Sequence, residues 1–442
     1  MRKLIHKTSL YKAGIGIALF STFCISAFSQ NVRLEKYSYG NGLKFTGDQD
    51  YSIHISGFIQ PYLESKYFTD PNIDGAFNRF RLRRARIRFE GTSKATKFSW
   101  RLQFDLTGSS EGDSDVSQYL MDAWIGYNFT KKWKIRFGQK NTPTDNRELF
   151  IRSNSLQFVD RSRVTSAFAT IREFGVFIDG TIKTGGSTYL RPSFAITNGD
   201  GMGVKLADLG GIKYGGRIDF LPFGLFSSMG QYHQVDVIRE NTPKLVMGAA
   251  YSVNRGQSSR RGRESGSILY FDADTTLSLP NYSKFVFDFM FKYKGFCAYG
   301  EFVSTSASVP ENITFRQRND GTYANTFDVD GNRNVENYVK GRMMLGSAYN
   351  IQAGYYFKSR FSCNLRYTKL NADKHSFLNN GTFYNRPEYY TFGVSKYFTP
   401  GYAFQVQASA TYVNTNNDVN DLSGQPMNGD EWLFRLITTI AF

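Results

Sequence analysis

The chain has 442 residues, with 40 Phe, 28 Tyr and 41 Gly against 11 Pro and 3 Cys, and a formal net charge of +16. An aromatic content of 16% excludes disorder, which goes with few rings, and three cysteines exclude a disulfide scaffold. A mean hydropathy of −0.40, with no uncharged apolar run of about 18 residues past the N-terminus, excludes a bundle of membrane-spanning helices.

The first segment reads as an address. Arg2, Lys3, Lys7 and Lys12 precede the apolar, uncharged stretch 13–28, and Ala27-Phe28-Ser29 places small residues around a cleavage point after Ser29. That order is a secretory signal, so residues 1–29 are expected to be removed. Bulky Phe23 before Cys24 argues against a lipoprotein. Residues 30–50 form a short N-terminal segment before the main domain, 51–442.

From residue 51 the chain alternates with period two. Phe285, Phe287, Phe289, Phe291 and Tyr293 fall on one side, opposite Lys284, Asp288 and Lys292. The same pattern recurs from Phe98 to Leu106, at Trp133, Ile135 and Phe137, and around Phe404. A strand puts i, i+2 and i+4 on one face. No amphipathic helix pattern is available to cover the ring-bearing face. Sixteen strands are predicted, at 51–65, 78–91, 97–108, 118–129, 133–140, 172–183, 187–198, 213–222, 244–254, 283–293, 295–306, 343–357, 361–371, 388–398, 402–414 and 430–442. Short turns alternate with long connections, and only 223–243 fits neither class.

An even number of strands about 10 residues long, with short turns at one end and long loops at the other, predicts an all-β, antiparallel transmembrane barrel. The short turns are then periplasmic and the long loops extracellular. In lipid only closure leaves no unpaired edge. Trp100, Tyr127, Trp133, Tyr293, Phe398 and Tyr402 are placed for the interfacial girdles. The last strand ends on Phe442, in phase with Phe434, Leu436 and Ile440, and resembles the signal read by the bacterial barrel-assembly machinery.

The bases carry the functional signal. Arg79, Arg81, Arg83, Arg84, Arg86 and Arg88 occupy ten consecutive positions, in two halves of opposite phase that meet at Arg83-Arg84. A β-bulge there would turn all six to the lumen. Facing lipid, each would cost about 2–4 kcal/mol at the midplane. Arg101, Lys134, Arg136, Lys213, Arg217 and Arg366 are expected on the same side, with Glu90, Asp105, Asp122, Asp219 and Asp288. Any one arginine could instead brace the wall against an acid, but the chain keeps a large excess of bases. Rings of Arg or Lys select anions, and guanidinium matches a pair of phosphate oxygens.

The connection 141–171 is too apolar for a solvated loop, with Leu149, Phe150, Leu156, Phe158, Val159 and Phe168. Folded inward it would narrow the channel and present Arg147, Arg152, Arg161 and Arg163 to the ion. Folded over the rim or onto a neighbouring subunit, it would not.

Several motifs together resemble the phosphate-selective porin O and P family. They are Arg83-Arg84-Ala85-Arg86, Asp122-Ala123-Trp124-Ile125-Gly126-Tyr127, Phe137-Gly138-Gln139-Lys140, Phe158-Val159-Asp160-Arg161-Ser162, Ala167-Phe168 and Arg172-Glu173-Phe174-Gly175. The resemblance implies a sixteen-stranded homotrimeric porin of the Gram-negative outer membrane, carrying phosphate or related small anions past bases on its wall and inward loop. Asn141-Thr142-Pro143-Thr144 and Asp160 depart from the family's pattern within that loop.

Other signals are weak. His54, His233 and His375 are too far apart in sequence to suggest a metal site, and no cofactor or catalytic constellation is expected. Asp328-Val329-Asp330-Gly331-Asn332 reads as a surface turn rather than a calcium loop. The basic run 255–263 is expected to face lipopolysaccharide rather than nucleic acid, and Cys297 and Cys363 fall on non-adjacent strands. A general or sugar porin, or a plugged structural barrel or adhesin, remain the alternatives.

Overall fold

The computed structural model describes residues 32–70, 76–108, 119–201, 210–259, 269–318, 320–379, 386–416, 419–420, 426–427 and 429–442. The expected leader, 1–29, lies outside them, as do Arg260, Arg261 and Arg263 of the basic run.

Two short strands open the chain, β1 (Arg33–Ser38) and β2 (Gly42–Thr46). The barrel follows. Its first half is β3 (Tyr51–Phe68), β4 (Ala76–Ser93), β5 (Phe98–Asp105), β6 (Leu120–Tyr127), β7 (Trp133–Lys140), β8 (Glu173–Gly180), β9 (Thr188–Thr197) and β10 (Lys213–Leu221). Its second half is β11 (Lys244–Asn254), β12 (Asn281–Tyr293), β13 (Phe296–Ser308), β14 (Gly346–Tyr356), β15 (Phe361–Ala372), β16 (Glu388–Tyr397), β17 (Phe404–Asn414) and β18 (Glu431–Ala441). Each pairs antiparallel with the next, and β18 returns to β3 with Glu431 opposite Phe68 and Ala441 opposite Phe58. The sixteen-stranded antiparallel barrel expected from the alternation is closed.

The alternation sorts side chains as lipid and water require. Phe80 is 80% exposed and Leu82, Leu102, Ile125, Phe194 and Leu365 are also exposed outward, while Gln103, Asp105, Asp122, Asp288, Asn364 and Gln407 are buried inward. Apolar cores inside the barrel form where a connection enters it. The largest gathers Val164, Ala167 and Phe168 of helix α1 (Arg163–Phe168) against Val286, Val303, Ala348 and Leu370.

The phase change in β4 is resolved by a bulge. Gln60 pairs with Arg84 and Pro61 with Leu82, leaving Arg83 as the extra residue. Arg83 and Arg84 therefore both point inward: Arg83 reaches Asp160 at 3.1 Å and Arg84 reaches Gln60 at 3.1 Å.

The N-terminal segment 30–50, expected only to precede the barrel, folds within its described part as a β1–β2 hairpin. Leu43 pairs with Ile55 and Thr46 with Ser52 of β3, just beyond the point where Phe442 bonds to Gly57. Gly57 is needed there, since a Cβ would lie 2.6 Å from the Phe442 ring. Cys297 and Cys363 are free, with β14 between their strands.

Candidate permeation pathway

The connection 141–172 runs through the barrel interior, as its hydrogen bonds show. Arg147 donates to Asp288 and Asp219, both at 2.7 Å, on β12 and β10. Gln157 donates to Asn364 on β15 and accepts from Gln352 on β14, at 2.8 and 2.7 Å. The carbonyls of Asn154 and Leu156 accept from Gln405 and Gln407 on β17. Ser153 meets Gln60 on β3 and Arg86 on β4. Of the apolar residues that made a solvated loop untenable, Leu149, Leu156, Phe158, Val159 and Phe168 are all at most 4% exposed and Phe150 is half-buried.

A second segment enters from the opposite mouth. The periplasmic connection 222–243, unassigned from sequence, carries a 3₁₀ stretch at Ser227–Tyr232, where Ser228 and Met229 adopt left-handed φ of 47° and 55°. Its residues 232–235 rise to meet the first loop. Arg152 N donates to Tyr232 O at 3.2 Å, and Gln234 N donates to Ser155 O at 3.1 Å. The Gln234 side chain donates to Glu148 Oε1 and accepts from Gln157 N, at 3.1 and 2.7 Å. Lys292 Nζ holds the segment through the carbonyls of Gly230 and Val235. His233 stacks on Tyr402 with centroids 4.9 Å apart, and burial, aided by Arg152 and Lys292, pushes its pKa down to about 3. The imidazole is therefore neutral near pH 7.

The expected pathway bases divide into two groups. In the first, the charge is already answered. Arg147 and Arg217 share Asp219 and Asp288 and are 1% and 4% exposed, so neither faces water. Gly248 makes this possible, because a Cβ there would lie 2.1 Å from the Arg217 guanidinium and 2.7 Å from that of Arg147. Arg86 pairs with Asp105 at 2.8 Å, Arg83 with Asp160 at 3.1 Å and Arg79 with Glu64 at 2.9 Å. Arg84 is 2% exposed against Gln60. Arg101 sits between Glu90 and Asp122, and Arg136 pairs with Asp179. Arg161 donates to the carbonyls of Glu148 and Ile151, holding the loop's own turn. Arg163 is half-buried at the start of α1. Asp160 itself stays ionised: burial pushes its pKa up, but Arg83, Arg435 and Arg84 outweigh that and hold it below the usual carboxylate range.

In the second group, among the described residues, no carboxylate lies within 4 Å. Arg152 is exposed in the lumen, Arg88 donates to the neutral Gln103 at 2.7 Å, Arg81 lies 5.0 Å over the Tyr62 ring, and Lys134 lies 5.3 Å over Trp124. Arg101 and Arg136 converge on the same indole, each 5.2 Å from it. Arg191 of β9 belongs here too and was not singled out from the sequence; its guanidinium donates to the Tyr232 hydroxyl at 2.8 Å. Its signal was available, since Leu190 and Pro192 flank it in a strand read as alternating. The facing wall, β14 to β17, is built mainly of the neutral Asn350, Gln352, Asn364, Thr391, Gln405 and Gln407, and its buried base, Arg366, is answered by Glu148 of the inward loop at 3.3 Å. The lumen is thus basic on one side and amide-lined on the other.

Residues 67–254 match the family described as phosphate-selective porin O and P. The chain is an outer-membrane porin. Its likeness to that family, expected from the motifs between Arg83 and Gly175, is borne out. Solved structures similar to this porin include the following three. OmpF of Salmonella typhi, in complex with daunomycin, is 13% identical, with 92% of this chain and 99% of that one covered and a TM-score of 0.51. Pseudomonas putida OprB, in its high-pH structure, is 9% identical, with 88% and 94% covered and a TM-score of 0.50. An anion-selective porin from Comamonas acidovorans is 11% identical, with 89% and 100% covered and a TM-score of 0.47. OmpF and OprB share the barrel fold with this porin. No curated protein matches the sequence.

Proposed function

We propose that this porin passes small anions, phosphate first, down their gradient through the basic side of the lumen. The observation that carries the reading is the set of inward bases with no carboxylate partner among the described residues, Arg81, Arg88 and Lys134 on the strands and Arg152 on the inward loop. In a narrow, low-dielectric passage an unanswered cation raises the local anion concentration. Conduction also needs sites weak enough to release the ion. Bases spaced along a wall, each softened by a ring or an amide, meet that condition better than one tight cluster. Phosphate is favoured over chloride because guanidinium offers two parallel donors to two oxygens. The family description names the same anion. In this reading the porin works as a homotrimer, is inserted through the strand ending at Phe442, and faces lipopolysaccharide with its extracellular loops.

The test is the reversal potential of purified porin in a planar bilayer across a potassium chloride gradient, followed by titration with phosphate. Anion selectivity, with phosphate blocking chloride current, is expected. Arg152→Ala should weaken that block about fivefold, as expected for one charge acting at contact distance in water. Cation current, or a block indifferent to Arg152, overturns the assignment. One observation favours a second reading, a barrel closed at rest: the two inward segments hydrogen-bond to each other at Gln234. Absence of current in the wild type, restored by shortening 222–243, would decide for it.

A further inference from the structure

The periplasmic end carries a charge pattern that the pathway does not use. Seven connections lie there, at 94–97, 128–132, 181–187, 222–243, 294–295, 357–360 and 398–403. Five of them bear fully exposed bases: Lys94 and Lys97, Lys131 and Lys132, Lys183, Lys294, and Lys358 and Arg360. Their acids are Asp236 and Glu240, both buried and holding backbone amides of 222–243 and its neighbours. No exposed acid lies in these seven connections. The N-terminal hairpin region at the same end is neutral by comparison, setting Arg33, Lys36 and Lys44 against Glu35, Asp48 and Asp50.

The backbone gives a second and independent sign. Lys97, Lys294 and Arg360 sit at φ of 61°, 48° and 60°, the left-handed region where glycine or asparagine is cheapest. Gly295 at 98°, next to Lys294, takes the expected residue type for such a turn. A long basic side chain at three such turn positions carries a backbone cost that glycine would avoid.

The third sign is depth. Exposed outward rings stand one to three residues from these bases: Phe98 beside Lys97, Phe129 beside Lys131, Phe296 beside Lys294 and Phe357 beside Lys358. Aromatic belts mark the membrane–water interface. At about 3.3 Å per residue the bases lie up to about 10 Å beyond the rings. The headgroup layer is roughly 5–8 Å thick on each side. The collar therefore sits at the level of phospholipid phosphates in the periplasmic leaflet.

We propose that this collar is a docking surface for anionic glycerophospholipid headgroups, which hold the porin at fixed depth from the periplasmic side. Each base near an anionic surface strengthens binding by about fivefold, so two together give roughly 25-fold. A lipid surface, rather than an acidic protein, fits a charge spread around the whole rim at one depth and registered on a ring belt.

The experiment uses the full porin in detergent, with native mass spectrometry reading retained phosphatidylglycerol against phosphatidylcholine of identical chains. The wild type should prefer phosphatidylglycerol, and the Lys131→Gln/Lys132→Gln pair should lower that preference by roughly 25-fold. Lys358→Gln/Arg360→Gln is the second variant, so that poor folding of one pair does not decide the matter. Chloride selectivity in the bilayer, set by the lumen, should be unchanged in both. Equal retention of the two lipids by the wild type, or undiminished preference in both variants, overturns the proposal. So does tighter capture of soluble poly-glutamate that phosphatidylglycerol fails to displace, which would mark a protein dock instead.

Discussion

Arg147 and Arg152 stand five residues apart in one inward loop and do opposite work. Arg147 is locked between two carboxylates and nearly inaccessible, whereas Arg152 reaches open lumen. Arg147→Ala should therefore act on stability rather than on selectivity. It strips one guanidinium from Asp219 and Asp288 and leaves buried charge underpaired, a loss of about 3–5 kcal/mol. Urea unfolding in detergent, followed by the heat-modifiable mobility of the barrel, reads that directly. His233 supplies a pH signature. Its pKa falls to about 3 in the folded protein, against an ordinary value near 6.5. Between those values the unfolded chain binds the extra proton, so stability is lost as pH falls below about 6.5, by up to about 1.4 kcal/mol per pH unit. Acidification should loosen the wild type more than His233→Gln, and equal acid sensitivity of the two would remove His233 from the account.

Among the elements, β4 is the most exacting. Its bulge at Arg83 is what lets one strand turn six arginines to the lumen side across a phase change. Deleting Arg83 would remove only the extra residue and leave Arg79, Arg81, Arg84, Arg86 and Arg88 in one alternating phase, all on the lumen side. Such a chain should still form a heat-modifiable barrel in detergent, while Leu82→Arg, which puts a base on the outward face, should lose about 2–4 kcal/mol if the site lies near the midplane. This device was legible beforehand because alternation is strict and a slip of one residue reverses every side chain. The strands were legible for the same reason, with observed ends within a few residues of those expected. The fate of individual bases was not. Which acid answers Arg147 depends on how 141–172 crosses the lumen, and no local pattern encodes that path. The segment 222–243 was missed because a turn at the periplasmic end is expected to be short; its buried Phe226 and Val235 were the available clue. Replacing 227–238 by a short glycine-containing turn should raise single-channel conductance, since those residues occupy the lower lumen.

For the whole molecule, charge outweighs any single site. The net charge left once the four bases of the expected leader are subtracted, 16 − 4 = +12, and the one-sided distribution of unanswered bases make selectivity a field effect. Such a field is screened by salt: the Debye length is about 10 Å at 0.1 M and about 3 Å at 1 M. The ratio of anion to cation permeability should fall steadily across that range in bilayer recordings. A ratio independent of salt would point to close-contact sites instead.

The β1–β2 hairpin bears on how the barrel comes into being. Strand β3 waits for the last strand, β18, for most of its length, yet its first turn of ladder, Ser52 to Ile55, is satisfied by residues only a few positions upstream. A freshly exported chain crossing the periplasm thus carries its earliest spanning segment with part of the rim already capped, and an uncapped β-edge is where chains stick to one another. When Phe442 arrives it completes a line that β2 has begun, so the seam is drawn together from a starting point near the beginning of the polypeptide.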